Sequence, residues 1–431
     1  MSHAPVPGPR SLELGARIAG VECPAFTHRR TTRAGADATD AAPIVLASGS
    51  GATLLDVDGN RYLDLAAGFG SVLVGHAAPR IVAAIAEQAG RLVQGLGDVY
   101  ASDVKLALLE RLARLHPSPG AQVLLAQSGG DAIAAAMKTA TLATGRHAFV
   151  AFDGAYHGLG YAPLAACGFR ASFREPFAPQ LNQAVSFAPF PGLRGATVEA
   201  SLAFVSDLLR VRPCAAVLVE PVLGRGGCVV PPAGFLRELT RLAHQHGALV
   251  IADEIWTGLG RAGSWLRSAE DGAVADIVCL GKGLGGGVSI SACIATREAM
   301  RGWCQGEVVH TSTHAGSPLA CAAALATLEA LEEEALVARS RALGSEAVER
   351  FRRALATSRF VRDVRGRGLM IGVELDGAEC AMKCVRGLLR RGIVVVSGGI
   401  AGDVLTLTPP LTIDAEALFS FGDALAEVLA A

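Results

Sequence analysis

The sequence predicts an α/β fold: a mainly parallel sheet of the seven-stranded type, flanked by helices, with a smaller α+β domain. Helical periodicity and short apolar runs alternate through the middle of the chain, which is typical of a parallel sheet covered on both faces. Two of the runs, residues 248–252 and 277–280, contain no charged residue, as expected of strands buried on both faces. With 431 residues, 51% of them hydrophobic, the chain can form more than one domain.

The N-terminal part predicts an arm followed by a hairpin. Residues 1–43 are rich in Ala, Pro, Gly and Thr and predict a partly ordered arm with one helix near 11–19. Strand-like pieces on both sides of the Asp58-Gly59 turn predict a β-hairpin over 53–64. In the alternating part that follows, helices are predicted at 79–92, 103–115, 131–144, 196–210 and 235–246, and strands at 121–125, 147–152, 215–219 and 248–252.

The C-terminal part predicts a smaller α+β domain, which the hairpin is expected to join. A helix rich in Ala and Leu begins at Pro318, and a charged helix is predicted over 334–357. Beyond it, strands are predicted at 369–375, 393–396 and 404–407, and helices at 378–390 and 414–429. We therefore predict an arm and hairpin over 1–70, a large domain with the mainly parallel sheet over 71–320 and a small domain over 321–431.

Composition excludes several classes of function. The formal net charge is −1, from 39 basic and 40 acidic residues without a long run of either sign, which gives no electrostatic indication of a nucleic-acid or membrane-surface partner. The ten cysteines have no paired spacing and several lie in apolar runs, which indicates reduced, buried thiols. No signal segment or long apolar stretch is present, so we expect a cytoplasmic protein.

Two charged residues follow neighbouring buried strands. Asp253 comes directly after one apolar run, and Lys282 follows the other among the glycines of GKGLGGG. Because ligands of open α/β sheets bind beyond the carboxyl ends of the strands, both side chains are expected in one crevice. A carboxylate holds a proton on a pyridine nitrogen, and a lysine amine, made nucleophilic by burial, forms a Schiff base with an aldehyde. Together they indicate pyridoxal 5′-phosphate (PLP).

Each of these two residues also has a simpler interpretation. A lone lysine is usually a solvated surface charge, and an aspartate at a strand end is commonly a helix cap. The glycines at 281, 283 and 286 also match G-x-G-x-x-G, with Glu298 at the distance of a ribose-binding acid. That dinucleotide motif needs a helix directly after the glycines, whereas residues 288–295 (VSISACIA) predict a strand. The sequence therefore favours a lysine anchor.

A phosphate site is predicted between a strand and a helix. Ser128, Gly129 and Gly130 precede the helix predicted from Asp131, and N–H groups at a helix N-terminus bind anions. The alternative is a plain strand-to-helix turn with Asp131 as the cap. A hydroxyl cluster at 311–313, which includes Thr313, supplies a further phosphate contact or is simply a loop.

Further candidates lie at the predicted crevice. Tyr156 or His157, in DGAYHG, provides aromatic cover for a ring, although packing is the commoner role of an isolated tyrosine. Glu220 is an acid at the end of another predicted strand. Other catalytic sets are absent from the sequence, since no G-x-S-x-G, H-E-x-x-H or C-x-x-C pattern occurs. Lys282 and Asp253 are therefore the candidate catalytic residues of this sequence.

Over nearly its whole length the chain resembles the class III (ω-type) PLP-dependent aminotransferases of fold type I. The motifs that carry the resemblance are DVDGNRYLD, the Gly75-His76 pair, SGGDA, FDGAYHG, Glu220-Pro221, DEIWTGLGR, GKGLGGG, THAGSPLA, RGRGLMIGVEL and TPPL. The resemblance implies that Lys282 forms the internal aldimine and moves the substrate proton, and that Asp253 pairs with the pyridine nitrogen. It also implies a homodimer with active sites at the interface. The cofactor-binding residues expected from motif and resemblance together are Ser128, Gly129, Gly130, Tyr156 (stacked on the ring), His157, Glu220, Asp253, Trp256, Lys282 and Thr313 (reaching the neighbouring subunit's phosphate).

The sequence departs from the family where substrates are selected. Trp256 stands where the family often has a glutamine, and SGGDA lacks a hydroxyl at Gly130. Two arginines that hold substrate carboxylates in relatives are replaced by Leu159 and Thr406. The main donor or acceptor is therefore expected to be an amine, amino alcohol, amino sugar or ω-amine, unless another residue such as Arg225 holds a carboxylate.

The predicted reaction is a ping-pong transamination. An amine or amino acid donates its amino group, and a keto or aldehyde acceptor collects it. The first alternative is an intramolecular aminomutase of the glutamate-1-semialdehyde type, which shares the cofactor. The second, from another class of enzyme, is a dinucleotide-dependent oxidoreductase.

Overall fold

The computed structural model describes residues 5–34, 43–270 and 272–431 of the chain. The strands are β1 (Leu46–Ser50), β2 (Thr53–Asp56), β3 (Arg61–Asp64), β4 (Gln122–Ala126), β5 (Ala148–Phe152), β6 (Val185–Ala188), β7 (Cys214–Val219), β8 (Leu249–Asp253), β9 (Ile277–Leu280), β10 (Ser291–Ala295), β11 (Val361–Arg367), β12 (Met370–Leu375), β13 (Ile393–Val394), β14 (Val396–Gly398) and β15 (Val404–Leu407).

The helices are distributed along the whole described chain. They are α1 (Pro9–Ala19), α2 (Pro24–Ala34), α3 (Ala67–Gly70), α4 (Pro79–Arg91), α5 (Asp103–Ala113), α6 (Gly129–Thr144), α7 (Tyr161–Ala165), α8 (Ala171–Arg174), α9 (Val198–Val211), α10 (Phe235–Gln245), α11 (Arg267–Glu270), α12 (Arg297–Met300), α13 (Pro318–Glu333), α14 (Leu336–Ala354), α15 (Ala378–Arg390) and α16 (Ala415–Ala430). Short 3-10 helices lie at Glu175–Gln180, Leu193–Gly195, Lys282–Gly285 and Arg301–Gln305.

A seven-stranded sheet forms the centre of the fold, in the order β4-β10-β9-β8-β7-β5-β6. The strands from β9 to β6 run parallel, and β10 runs antiparallel to both β4 and β9. Strands β5, β7, β9 and β10 are buried throughout, as their continuous apolar sequences predict. The prediction of an α/β fold with a mainly parallel sheet is confirmed.

The topology brings the predicted charged residues to one edge of this sheet. Strand β8 ends at Asp253, and its neighbour β9 ends two residues before Lys282. After a single 3-10 turn and a loop, the chain enters strand β10 rather than a helix. A dinucleotide site needs a helix directly after the glycines, and the chain does not form one there.

Two smaller four-stranded sheets complete the fold, in the orders β1-β2-β3-β13 and β11-β12-β15-β14. The predicted hairpin forms from β2 and β3, in which Leu54 faces Tyr62. Strand β3 then pairs in parallel with β13, where Leu63 faces Ile393, so the hairpin shares a sheet with a C-terminal strand. The division at residues 70 and 320 stays a prediction.

Several elements differ from the sequence-based expectations. The arm contains a second helix, α2, which was not expected because its sequence PAFTHRRTTRA has little apolar periodicity. Residues 1–4 and 35–42 of the predicted arm lie outside the described residues. The strand expected at 393–396 is two strands in different sheets, because β13 pairs with β3 whereas β14 pairs with β15. Strands β1, β6 and β11 were not predicted.

Within the described residues, no helix combines the length and apolar character that crossing a bilayer needs. All ten cysteines are free thiols. Seven of them are buried, while Cys23 and Cys304 are exposed and Cys380 is half-buried, so the expectation of buried thiols holds for most of them.

Candidate active site

A cavity of about 230 Å³ lies at the carboxyl edge of the central sheet. It is smaller than the ~300–1,000 Å³ usual for drug-sized ligands, so it suits a small, flat group. Most of the residues predicted for the site meet here. The lining residues are Gly129, Gly130, Tyr156, His157, Gly158, Glu220, Asp253, Ile255, Trp256 and Lys282.

Lys282 reaches the cavity from a strained backbone position. Its φ of 41° is in the left-handed region, which non-glycine residues rarely occupy and which often marks a functional site. Its Nζ lies 3.8 Å from the centroid of the Trp256 ring, a cation–π contact. Although part of the side chain faces the cavity, protein atoms surround the amine, and this desolvation lowers its pKa to about 8. The charges of Asp253 and Glu220 oppose that decrease.

Asp253 is held by two hydrogen bonds at the end of β8. One carboxylate oxygen, Oδ2, lies 2.7 Å from Nδ1 of His157, and the other accepts the backbone N–H of Ile255 at 3.1 Å. Both Asp253 and His157 are almost completely buried. The Nε2 atom of His157 has no partner in the described chain. His157, considered from the sequence as aromatic cover, is a hydrogen-bond partner of Asp253 in the structure.

The start of α6 supplies unpaired backbone donors. The helix begins at Gly129, two residues earlier than predicted, so Gly129 and Gly130 are its first two residues. Ser128 is the N-cap, since its Oγ accepts the N–H of Asp131 at 3.2 Å, whereas Asp131 accepts the N–H of Gln127 at 3.0 Å. The alternative of Asp131 as the cap is therefore wrong. The first N–H groups of a helix have no acceptor within it and are available to an anion.

Glu220 connects two loops of the site. Its carboxylate accepts the backbone N–H of Tyr156 at 2.6 Å and that of Gly224 at 2.9 Å. Burial raises its pKa to about 7, and the negative charge of Asp253 adds to the increase. Glu220 thus positions the Tyr156 backbone and the loop after β7.

Trp256 fills a slot between two glycines. A Cβ atom at Gly70 would lie 2.5 Å from its Nε1, and a Cβ atom at Gly224 would lie 2.4 Å from its Cε3. Real Cβ atoms do not approach other atoms so closely. The indole therefore depends on the absence of side chains at 70 and 224, and its face closes one wall of the cavity beside Lys282.

Two predicted residues do not line this cavity. Ser128 acts through the helix start, and its carbonyl accepts the hydroxyl of Ser291 at 2.6 Å. Thr313 lines a separate cavity of about 440 Å³, together with Thr311 and Ser312. A contact of Thr313 with the neighbouring subunit's cofactor stays a prediction, because one chain is described.

Sequence reasoning did not select two lining residues, Gly158 and Ile255. Ile255 presses on Gly129, where a Cβ atom would lie 2.9 Å from its Cγ2. Gly158 has a φ of 118°, and a Cβ there would lie 3.0 Å from the Cα of Gly130. Their positions in the DEIW and YHGL motifs, each beside a selected residue, were the available signal.

The donor set fits PLP. The amine of lowered pKa is a partner for its aldehyde, and the buried carboxylate is a partner for its pyridine nitrogen. The free N–H groups at the helix start suit its phosphate, and the two aromatic rings suit its flat ring. Within the described residues no group of His, Cys, Asp or Glu side chains is arranged to hold a metal ion.

Comparisons with known proteins agree with this assignment. The family model for class-III aminotransferases matches residues 34–429. The acetylornithine aminotransferase of Methanothermobacter thermautotrophicus is 37% identical over 387 residues, which cover 90% of this chain and 94% of the relative. The 5-aminovalerate aminotransferase of Pseudomonas aeruginosa is 34% identical over 384 residues, covering 86% and 90%. A PLP-bound amine transaminase from an uncultivated Pseudomonas species superimposes with a TM-score of 0.84 at 29% identity, covering 91% of this chain and 96% of that one.

The chain belongs to the class-III aminotransferases, which have fold type I. It is a PLP-dependent transaminase. The comparisons give no support to the aminomutase or to the dinucleotide-dependent oxidoreductase.

Proposed function

We propose that the amine of Lys282 holds PLP covalently and that the enzyme transfers the amino group of a terminal primary amine to a keto acid or aldehyde. The observation that carries the proposal is the single cavity lined by Lys282, Asp253 and the start of α6. Because the pKa of Lys282 is lowered to about 8, a substantial fraction of its amine is neutral and nucleophilic near pH 8.

Each polar group of the cavity has one part in this reaction. Bound PLP supplies an aldehyde carbon that takes up the amino group and a pyridine ring that withdraws electrons. The carboxylate of Asp253 would keep a proton on the pyridine nitrogen, and His157 holds that carboxylate through the 2.7 Å hydrogen bond. The N–H groups of Gly129 and Gly130 would bind the phosphate, and the Lys282 amine would move the proton at the amino carbon of the substrate.

The other predicted residues shape the cavity. Tyr156 lines the cavity and would cover one face of the cofactor ring, and Trp256 closes the wall next to the lysine. Ser128 caps the phosphate-binding helix, and Glu220 fixes the backbone of Tyr156. These contacts exclude water from the reacting atoms, which strengthens the charge interactions there.

The proposed donor has its reacting amine at the end of a carbon chain. The relatives compared above are named for acetylornithine and 5-aminovalerate, which both present a terminal primary amine. The absence of arginine at Leu159 and Thr406 leaves unbranched amines, amino alcohols and amino sugars as further donors to test.

A second copy of the chain is the proposed partner. Exposed apolar residues cluster on segment 92–100 and on residues 308–309, next to Thr313; among them Val99 is 68% and Val308 69% exposed. A homodimer covers such a surface and lets Thr313 reach the neighbouring active site. Sedimentation of Val99→Asp tests this, and we expect monomers. The control Val211→Asp, at an exposed valine outside this surface, should stay dimeric. A monomeric wild-type protein contradicts the proposal.

The free state of all ten cysteines supports a cytoplasmic location, where thiols are kept reduced. Fractionation of cells that express the tagged chain checks this location, and recovery outside the cytoplasmic fraction contradicts it.

Borohydride reduction of the holoenzyme followed by peptide mapping tests the covalent anchor. We expect the pyridoxyl mass on Lys282 and on no other lysine, and a shift of the visible absorbance when 5-aminovalerate or a simple terminal amine is added. Lys282→Ala is the matched control and should carry no label. A label on another residue overturns the assignment.

A further inference from the structure

Arg225 stands in an aromatic box beside the active site. Its guanidinium carbon lies 4.6 Å from the ring centroid of Tyr156, 5.0 Å from that of Phe169 and 5.8 Å from that of Phe173. Its carbonyl accepts the N–H of Gly399 at 3.0 Å, which fixes the backbone of this loop. Stacking on aromatic faces leaves the N–H edge of a guanidinium free for a planar acceptor.

This cation has no acidic partner among the residues that the structure describes. Its charged neighbours are Arg29 and Arg170, which are also cationic. Glu220, five residues earlier, is bonded to two backbone N–H groups instead. Desolvation, with Arg29 and Arg170, lowers the pKa of Arg225, so its charge is costly there without an anion.

The box and the catalytic cavity share a wall. Tyr156 lines the cavity of Lys282 and also carries Arg225 on its ring. The charge of Arg225 reaches the lysine, since it contributes to the lowered pKa of Lys282. A substrate whose amine is at Lys282 therefore has a cation within reach of its other end.

A comparison with Arg170 argues against a purely structural role for Arg225. Arg170 also lies 5.0 Å from the Phe169 ring, but its Nε and Nη2 donate to the carbonyl of Ile400 at 3.2 and 2.9 Å. Arg225 has the same stacking, but its side-chain hydrogen-bond partner is the hydroxyl of Tyr156, which is neutral, rather than a carbonyl or a carboxylate. Buried arginines usually satisfy their donors with a carboxylate, frequently in a bidentate pair.

We propose that Arg225 binds the substrate carboxylate farthest from the reacting amine, and so selects ω-amino acids. This inference rests on the proposed function of the Lys282 cavity. It assigns the carboxylate to a residue on the loop after β7, rather than to the positions held here by Leu159 and Thr406.

Two donors that differ only in the carboxylate test the proposal. In half-reactions of the holoenzyme, Arg225→Met should raise the KM for 5-aminovalerate at least about tenfold, the loss expected for a charge-assisted pair. The KM for 1-aminopentane, which has the same chain without the carboxylate, should change less than threefold. Arg225→Lys should give an intermediate KM, and Arg170→Met, the matched control, should leave both values near those of wild type.

A binding measurement gives a result independent of turnover. Pentanoate lacks the amine and cannot react, and its dissociation constant for the holoenzyme is measured by calorimetry. We expect at least a tenfold increase for Arg225→Met and none for Arg170→Met. The proposal is overturned if wild type and Arg225→Met bind pentanoate with equal affinity, or if wild type shows no millimolar binding of pentanoate. It is also overturned if Arg225→Met raises the KM for both donors equally. If the borohydride experiment leaves no pyridoxyl mass on Lys282, the proposed function is refuted instead. Failure of the carboxylate proposal can therefore be distinguished from failure of the proposed function.

Discussion

Replacement of Lys282 by methionine is expected to stabilise the apoprotein, and the gain should shrink as the pH rises. The lysine amine is surrounded by protein, and its pKa falls from 10.5 to about 8 on folding. The folded state therefore binds fewer protons than the unfolded state between pH 8 and pH 10.5, and stability rises with pH through that window. Methionine fills a similar volume without a charge, so Lys282→Met removes this cost.

The magnitude follows from the pKa values, at about 1.4 kcal/mol for each unit. The cost of the lysine charge is about 3 kcal/mol at pH 8, about 2 kcal/mol at pH 9 and below about 1 kcal/mol at pH 10. The attraction of Lys282 to Asp253 and Glu220 is already included in the value of about 8.

Urea unfolding of apoprotein at pH 8, 9 and 10 measures the difference between wild type and Lys282→Met. This range lies above the pKa of about 7 of Glu220. Lys383→Met is the matched control, because that lysine is exposed and should show no pH-dependent difference. A difference that stays constant from pH 8 to pH 10, or a variant less stable than wild type at pH 8, refutes the reasoning.

Three further substitutions probe the same cavity. Asp253→Asn should slow the amine half-reaction at least about a hundredfold, because an amide does not hold a proton on the pyridine nitrogen; an unchanged stopped-flow rate contradicts this role. Ser128→Ala, which removes the helix cap, should cost about 1 kcal/mol of unfolding free energy, measured by urea titration, and should weaken PLP binding, measured by PLP titration. Ser345→Ala, at an exposed position within a helix, is the control. Trp256→Ala should cost about 3 kcal/mol and favour bulkier donors in a panel of amines; equal relative rates across the panel would show that the indole does not limit size.

The sequence predicted the parts of the fold that depend on local pattern. Apolar runs located β5, β7, β8 and β9 to within about one residue at each end, because buried strands leave little ambiguity. The rule that ligands bind at strand ends then indicated that Asp253 and Lys282 share a crevice, and both line one cavity.

Local sequence patterns could not predict contacts between segments that are distant along the chain. The hydrogen bond between His157 and Asp253 joins residues 96 apart, and no local signal distinguishes it from aromatic cover. The aromatic box at Arg225 is recognisable only once three aromatic rings from two segments surround the guanidinium. Helix α2, whose sequence has little apolar periodicity, contacts α15, and packing of this kind supplies most of the stability of short helices.

The slot that holds Trp256 makes three positions depend on one another during divergence. A side chain larger than hydrogen at 70 or 224 displaces the indole, whereas loss of the indole removes the constraint on both glycines. A lineage that leaves this arrangement must therefore change position 256 first, and a lineage that enters it must already have both glycines. Because these substitutions must occur in this order, Gly70, Gly224 and Trp256 together identify enzymes with the same narrow cavity.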